Sequence, residues 1–239
     1  AISSVAGSQQ TFPQVAAKGS DWLVVWSDAR LGGGTYNVYA TRVSDAGVVL
    51  DPAGFRVNST LNSAQVPSVS ADTTNWFVVW QNGSQATGAR VSPSGTVLDA
   101  NDIIIFNGLS FEPKAAFNGT NYLVVWKSHD SFGDLYGIRV TPAGTVLNIP
   151  ALAIPISTVS GVYERFPTIT SNGSDWLVGW STDFHVRAAR VDAAGNVLDP
   201  TGITLSTISA GYLGRPQAAW DGTQYWYLWS NGPQNQPTN

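Results

Sequence analysis

The chain contains no cysteine and no methionine, and only 12% of its 239 residues are charged. Without cysteine there is neither a disulfide framework nor a thiolate metal site. Without methionine the chain reads as a processed or trimmed product. Lysine occurs only three times, and the net charge is −4. Phosphate binding needs clustered Lys and Arg, and no cluster is present, so nucleic acid is excluded as a partner. No apolar run approaches the ~20 residues that cross a bilayer, so no membrane insertion is expected. No signal-like segment is visible at Ala1. Few charges, abundant Ser, Thr and Asn, and ten Trp suggest an exported protein, extracellular or on the cell surface.

What the chain does have is a repeat. PQVAAKGSDWLVVW (Pro13 to Trp26) recurs as PSVSADTTNWFVVW (Pro67 to Trp80), PKAAFNGTNYLVVW (Pro113 to Trp126), PTITSNGSDWLVGW (Pro167 to Trp180) and PQAAWDGTQYWYLW (Pro216 to Trp229), always with an interval of 13. Four copies continue into a second unit, TRVSDAGVVL, ARVSPSGTVL, IRVTPAGTVL and ARVDAAGNVL. In it Arg42, Arg90, Arg139 and Arg190 each precede a Leu by 8 residues. The spacing between units drifts: Trp to the next Arg is 16, 10, 13 and 10, and Leu to the next Pro is 17, 15, 20 and 18. A repeat of this length signals a propeller, solenoid or array.

Each unit reads as a hairpin. WLVVW and its equivalents are β-branched and aromatic runs bounded by turn residues such as KGSD, NGTN and DGTQ. Apolar residues on both faces imply strands covered on both sides. Each repeat is then four antiparallel strands, a to d. The a–b and c–d turns lie at one end, and the b–c and d–a connections, which vary in length, lie at the other. The expected fold is an all-β, five-bladed β-propeller of four-stranded blades spanning 1–239, with repeats at about 13–57, 67–105, 113–156, 167–205 and 216–230. The last repeat stops after Trp229, so the amino-terminal segment 1–5 is expected to complete it. The phrase DGxxYLVVW followed by YGxRVxxxGxVLD resembles propeller-type repeats of large exported bacterial proteins. That resemblance implies a secreted or surface module and carries over no catalytic residue.

The repeating residues are expected to be scaffold. Trp26, Trp80, Trp126, Trp180 and Trp229 should pack between blades, because large aromatics dominate core burial. The four Arg should stack on aromatics or pair with Asp51, Asp99 and Asp199, although position 148 is Asn and breaks that pattern in the third copy. Binding residues gather on loops held by a rigid scaffold. The variable end therefore supplies the candidates: Asp28, Arg30, Phe111, Glu112, His129, Asp130, Tyr163, Arg165, Phe166, Asp183, His185, Tyr212 and Arg215. Aromatic rings beside Asp and Arg suit a glycan or protein ligand. The expectation is a non-catalytic, lectin-like binding module. Alternatives are a structural, self-associating subunit of a surface array and a carbohydrate-active enzyme using Asp28, Glu112, Asp130 and Asp183. No cofactor or metal is expected, since SHDSFGD lacks the alternating acidic ligands of a calcium loop. The sequons at Asn58, Asn82, Asn118 and Asn172 read as turn chemistry.

Overall fold

The computed structural model describes residues 1–3, 7–60, 63–130, 132–147, 153–206 and 212–232, and every regular element among them is a β-strand. Sheet one is β1 (Gln10–Lys18), β2 (Asp21–Asp28), β3 (Asn37–Val43) and β4 (Phe55–Arg56). Sheet two is β5 (Ala64–Ala71), β6 (Trp76–Asn82), β7 (Gln85–Val91) and β8 (Ile103–Phe106). Sheet three is β9 (Ser110–Phe117), β10 (Tyr122–Ser128), β11 (Leu135–Val140) and β12 (Ile154–Ser157). Sheet four is β13 (Arg165–Ser171), β14 (Trp176–Ser181), β15 (Val186–Val191) and β16 (Ile203–Thr204). Each is an antiparallel meander in sequence order.

Both invariant intervals have a backbone cause. The Leu N–H of each second unit donates to the Arg carbonyl eight residues earlier: Leu50 to Arg42, Leu98 to Arg90, Leu147 to Arg139 and Leu198 to Arg190, all at 2.9 Å. A tight turn ending in Gly47, Gly95, Gly144 or Gly195 closes that loop. Gly95 sits at φ +85° with its Cα over Arg42, so a side chain there would be both strained and blocked. The interval of 13 comes from a bulge. Thr11 pairs with Ser27 and Gln14 with Val25, so Phe12 and Pro13 together face the single residue Trp26. The same two-against-one step places Val66–Pro67 opposite Trp80, Glu112–Pro113 opposite Trp126 and Phe166–Pro167 opposite Trp180. Proline, which cannot donate to a ladder, is tolerated inside these strands because it sits at a bulge.

Sheets pack face to face in order. Leu23 and Val25 of sheet one share a core with Trp76, Val78 and Trp80 of sheet two. Phe77 and Val79 then meet Tyr122, Val124 and Trp126, and Leu123 and Val125 meet Trp176, Val178 and Trp180. Polar clasps cross these interfaces. The Trp76 indole donates to the Ala16 carbonyl at 3.2 Å, Trp176 to Ala116 at 2.9 Å, and the Tyr122 hydroxyl to Asp72 at 2.9 Å. Of the repeated Arg, Arg42 and Arg139 also cross an interface. Arg42 pairs with Asp51 (2.9 Å) and also reaches the Pro93 carbonyl of the next sheet (3.0 Å). Arg90 pairs with Asp99 (2.7 Å) and Arg190 with Asp199 (2.8 Å), while Arg139 donates to the Ala193 carbonyl at 2.9 Å. Asn148 lies outside the described residues.

A fifth hairpin follows. β17 (Tyr212–Leu213) pairs with β20 (Asn231–Gly232), and β18 (Gln217–Trp220) pairs with β19 (Tyr225–Leu228). These two pairs are one a–b hairpin interrupted at Arg215–Pro216, where the other sheets have their bulge. It leans on sheet four through Tyr227, whose ring lies 2.5 Å from where a Cβ on Gly179 would stand. At the amino terminus, Ile2 and Ser3 line a cavity with Val24 and Trp26 of sheet one, and the Gln10 amide donates to Ser3 at 2.9 Å. Residues 4–6 lie outside the described set, so the expected closing strand of the last blade is traced only by these contacts with sheet one.

Candidate functional site

The five innermost strands converge on an axial pit. Its walls are Phe12, Gln14, Val66, Pro67, Lys114, Phe166, Pro167, Arg215, Pro216 and Gln217, around a cavity of about 80 Å³. The residues before the prolines are Phe12, Val66, Glu112 and Phe166, and each is held at a left-handed φ of 51–55°. Left-handed backbone is costly for a side-chain-bearing residue, most of all for β-branched Val66. Each such residue stores about 1–3 kcal/mol and persists only where its surroundings enforce it. Each stands in the bulge opposite a repeated Trp of the neighbouring strand. The device is constant and the side chain it presents is not.

Charge in the pit is unbalanced. Glu112 bonds Arg215 at 2.8 Å, and the Arg215 guanidinium lies 4.5 Å from the Phe166 ring centre and 5.9 Å from that of Phe12. Lys114 sits two residues beyond Glu112 on β9. Burial pushes its ammonium down to about 8, with Arg215 lowering it further and Glu112 opposing. One carboxylate thus faces two cations.

The remaining predicted residues fall elsewhere. Asp28 is fully buried, and it accepts from the Trp26 indole (2.8 Å) and from Arg30 (2.6 Å). Burial raises Asp28, but the bonds from Arg30 and Trp26 outweigh it and hold the carboxyl below its usual range. Arg30 lies 3.9 Å over Tyr39, so this pair braces sheet one and presents little to solvent. Arg165 pairs with Asp183 at 3.1 Å on the rim and leans on Tyr163 at 5.0 Å. Exposed pairs of this kind contribute about 0–1 kcal/mol. His185 lies 3.1 Å from the Ser206 carbonyl. The side chain of Tyr212 lies outside the described set. Phe111 contacts His129 at 5.1 Å. His129 and Asp130 line a peripheral cavity of about 510 Å³ with Phe106, Trp126 and Tyr136. Asp130 is spent on its own loop, accepting from Ser128 and from the N–H groups of Phe132, Gly133 and Asp134. Glu112 and Phe166, expected on d–a loops, belong instead to strands β9 and β13 at the axis. Among the described residues no group of three or more His, Asp and Glu is placed to hold a metal ion.

Glu164 is the more deeply buried of the two glutamates. It is 1% exposed, accepts from the Ser157 hydroxyl through one oxygen and leaves the other, Oε2, without a partner. Burial drives its carboxyl up to about 7, with Ser157 pulling the other way. Its native form therefore holds a proton that the unfolded chain has lost between pH 4.5 and 7, so stability falls as pH rises through that window. Glu164→Gln should stabilise the protein by about 2–3 kcal/mol at pH 8 and by little at pH 4. Urea unfolding at the two pH values checks this, and an equal effect at both would refute it.

No protein-family model matches the sequence, and no curated protein matches it either. Solved structures do. The chain is similar to the endo-arabinase of Bacteroides thetaiotaomicron VPI-5482, with TM-score 0.57 and 13% identity over 95% of this chain and 90% of that one. It is similar to the catalytic domain of the Coprinopsis cinerea GH62 α-L-arabinofuranosidase, with TM-score 0.53 and 11% identity over 96% and 86%. A third is the GH43_1 enzyme of Xanthomonas citri complexed with xylose, with TM-score 0.56 and 10% identity over 94% and 82%. These are β-propellers, and the four sheets here fit their blades. Such neighbours are mostly glycoside hydrolases, which corrects the expectation of a non-catalytic module and of a chain that is no enzyme. At this identity the likeness is one of fold, and the reaction has to be argued from the pit itself.

Proposed function

We propose that this chain is a carbohydrate-active enzyme whose active centre is the axial pit of a five-bladed propeller, the fifth blade being built on the β17–β20 hairpin. The observation that carries this reading is a convergence. Three strained, non-glycine residues, Phe12, Val66 and Phe166, line one cavity beside a lysine whose proton is loosened to about 8, and the fourth, Glu112, bonds Arg215 in its wall. Strain of this kind clusters at functional sites. A proton-transfer group works best with a pKa near the working pH. Glycosidases of the usual kind need two carboxylates across the scissile bond. Among the described residues that line the pit or bond to its lining, Glu112 is the one carboxylate. Lys114 supplies the second proton-transfer group. Phe12 and Phe166 flank the sugar, and Arg215 holds Glu112 until the substrate arrives. The fold neighbours, an endo-arabinase, an α-L-arabinofuranosidase and an enzyme complexed with xylose, and the low-charge, cysteine-free composition, support an exported enzyme meeting glycan outside the cell.

The test is turnover of a panel of plant and bacterial polysaccharides, followed by mass spectrometry of the products. Glu112→Gln should lower kcat by about 10²–10⁴-fold with little change in melting temperature. A folded wild-type chain that alters no glycan in the panel would overturn the proposal.

A further inference from the structure

We infer that the glycan carries an anionic group, a carboxylate or a sulfate on the sugar, and that this group enters the axial pit and takes the place of Glu112 on Arg215. The inference rests on the pit being the active centre. Three observations point to it.

The first is size. The cavity is about 80 Å³, far below the ~300 Å³ at which pockets begin to enclose whole ligands. It admits a small substituent and leaves the ring outside, against Phe12 and Phe166. The second is charge. Arg215 and Lys114 face one carboxylate, Glu112, so the pit carries an excess positive charge below about pH 8. A neutral sugar seated over the pit would strip water from that charge and return only neutral hydroxyl acceptors. An anion would cancel it, and charge-assisted bonds to guanidinium are among the strong ones. The third is exchange. Arg215 already grips a carboxylate at 2.8 Å, and its own side chain is half-exposed, so an incoming carboxylate meets a guanidinium already shaped for it. Exchange also frees Glu112 as the substrate arrives, which unmasks the proposed base only when the site is filled. The walls add neutral donors in Gln14 and Gln217.

The experiment is isothermal titration of the full chain with three oligosaccharides of equal length: oligogalacturonate, a sulfated oligosaccharide and a neutral one. At pH 7 one of the two anionic ligands should bind at least ~10-fold more tightly than the neutral one, and which of them does so names the group. Arg215→Gln should erase the preference, and a melting curve confirms that the variant is folded. Glu112→Gln should strengthen anion binding, because an internal competitor is gone. A merely structural Glu112 would not do that. The preference should also weaken as pH rises past 8 and Lys114 loses its charge. Equal affinity for neutral and anionic ligands overturns the inference, as does weaker anion binding by Glu112→Gln. Turnover of neutral glycans with no anionic preference overturns it while leaving the enzyme in place. Neither turnover nor binding of any glycan overturns both.

Discussion

Lys114→Met should abolish glycan turnover and leave the protein more stable than the wild type. The two effects come from one cause. Burial lowers the Lys114 ammonium from 10.5 to about 8, so folding at neutral pH takes a charged group out of water with incomplete compensation from Glu112. A shift of that size corresponds to about 3 kcal/mol, and solvent still reaching the side chain reduces the cost to roughly 1–3 kcal/mol. Methionine keeps the unbranched stem and removes the charge. The sign of the pH dependence follows. Between pH 8 and 10.5 the unfolded chain binds more protons than the native one, so wild-type stability rises across that window. The advantage of the methionine variant should therefore be full at pH 7 and shrink towards pH 10. Turnover should fall by about 10²-fold or more, as expected for loss of a proton-transfer group. Denaturant unfolding at pH 7 and pH 10, beside a glycan assay, reads both. A variant less stable at pH 7, or a gain that ignores pH, would show that the lysine is solvated and not poised. Such an exchange of stability for activity is the usual mark of a working site.

The hairpins, their order and the burial of Trp26, Trp80, Trp126 and Trp180 could be read from sequence because each depends on local chemistry that recurs. The interval of 8 is one carbonyl accepting one N–H, and the turn glycine that permits it is written in every copy. The pit could not be read so directly. Pro13, Pro67, Pro113 and Pro167 look like strand beginnings, which pushes the residue before each onto a loop. The ladders run through them instead, and the preceding residue turns left-handed into the axis. A signal was present all the same. A proline at fixed distance from a strand-ending Trp in every copy implies a bulge, and the residue two places after Phe12, Val66, Glu112, Phe166 and Arg215 is Gln14, Ser68, Lys114, Thr168 or Gln217. A polar residue recurs at the same place in five strands, and three of the five, Gln14, Lys114 and Gln217, line the pit. Loop candidates such as Asp28 and Asp130 misled for a related reason. Their carboxylates are consumed by the Trp26 indole, Arg30 and nearby backbone N–H groups, and sequence spacing does not reveal that consumption.

Trp80→Ala decides between scaffold and sugar platform for the repeated tryptophans. Trp80 is 0% exposed and sits in the core shared by sheets one and two, with its indole N–H unbonded. Truncation removes a large aromatic from a buried cluster that includes Leu23, Val25 and Val78, whose ladders resist collapse into the gap. The expected loss is about 3–5 kcal/mol. For a chain of this length each kcal/mol moves the melting temperature by roughly 2–4 °C, so a fall on the order of 10 °C is expected by calorimetry. Trp80 also stands across from the bulge that holds Val66 left-handed, so its loss releases strain that the pit depends on. Turnover should therefore drop with stability, and at temperatures well below the new transition KM should rise through a loosened pit. Trp229→Ala, in the half-buried copy beyond β19, should cost less than half as much. A sugar platform would give the opposite pattern: weakened glycan affinity at Trp80 with the melting temperature almost unchanged. A fully buried ring has no face to offer a sugar, so the effect of Trp80 on turnover should come through the residues packed around it, with Val66 in the bulge opposite.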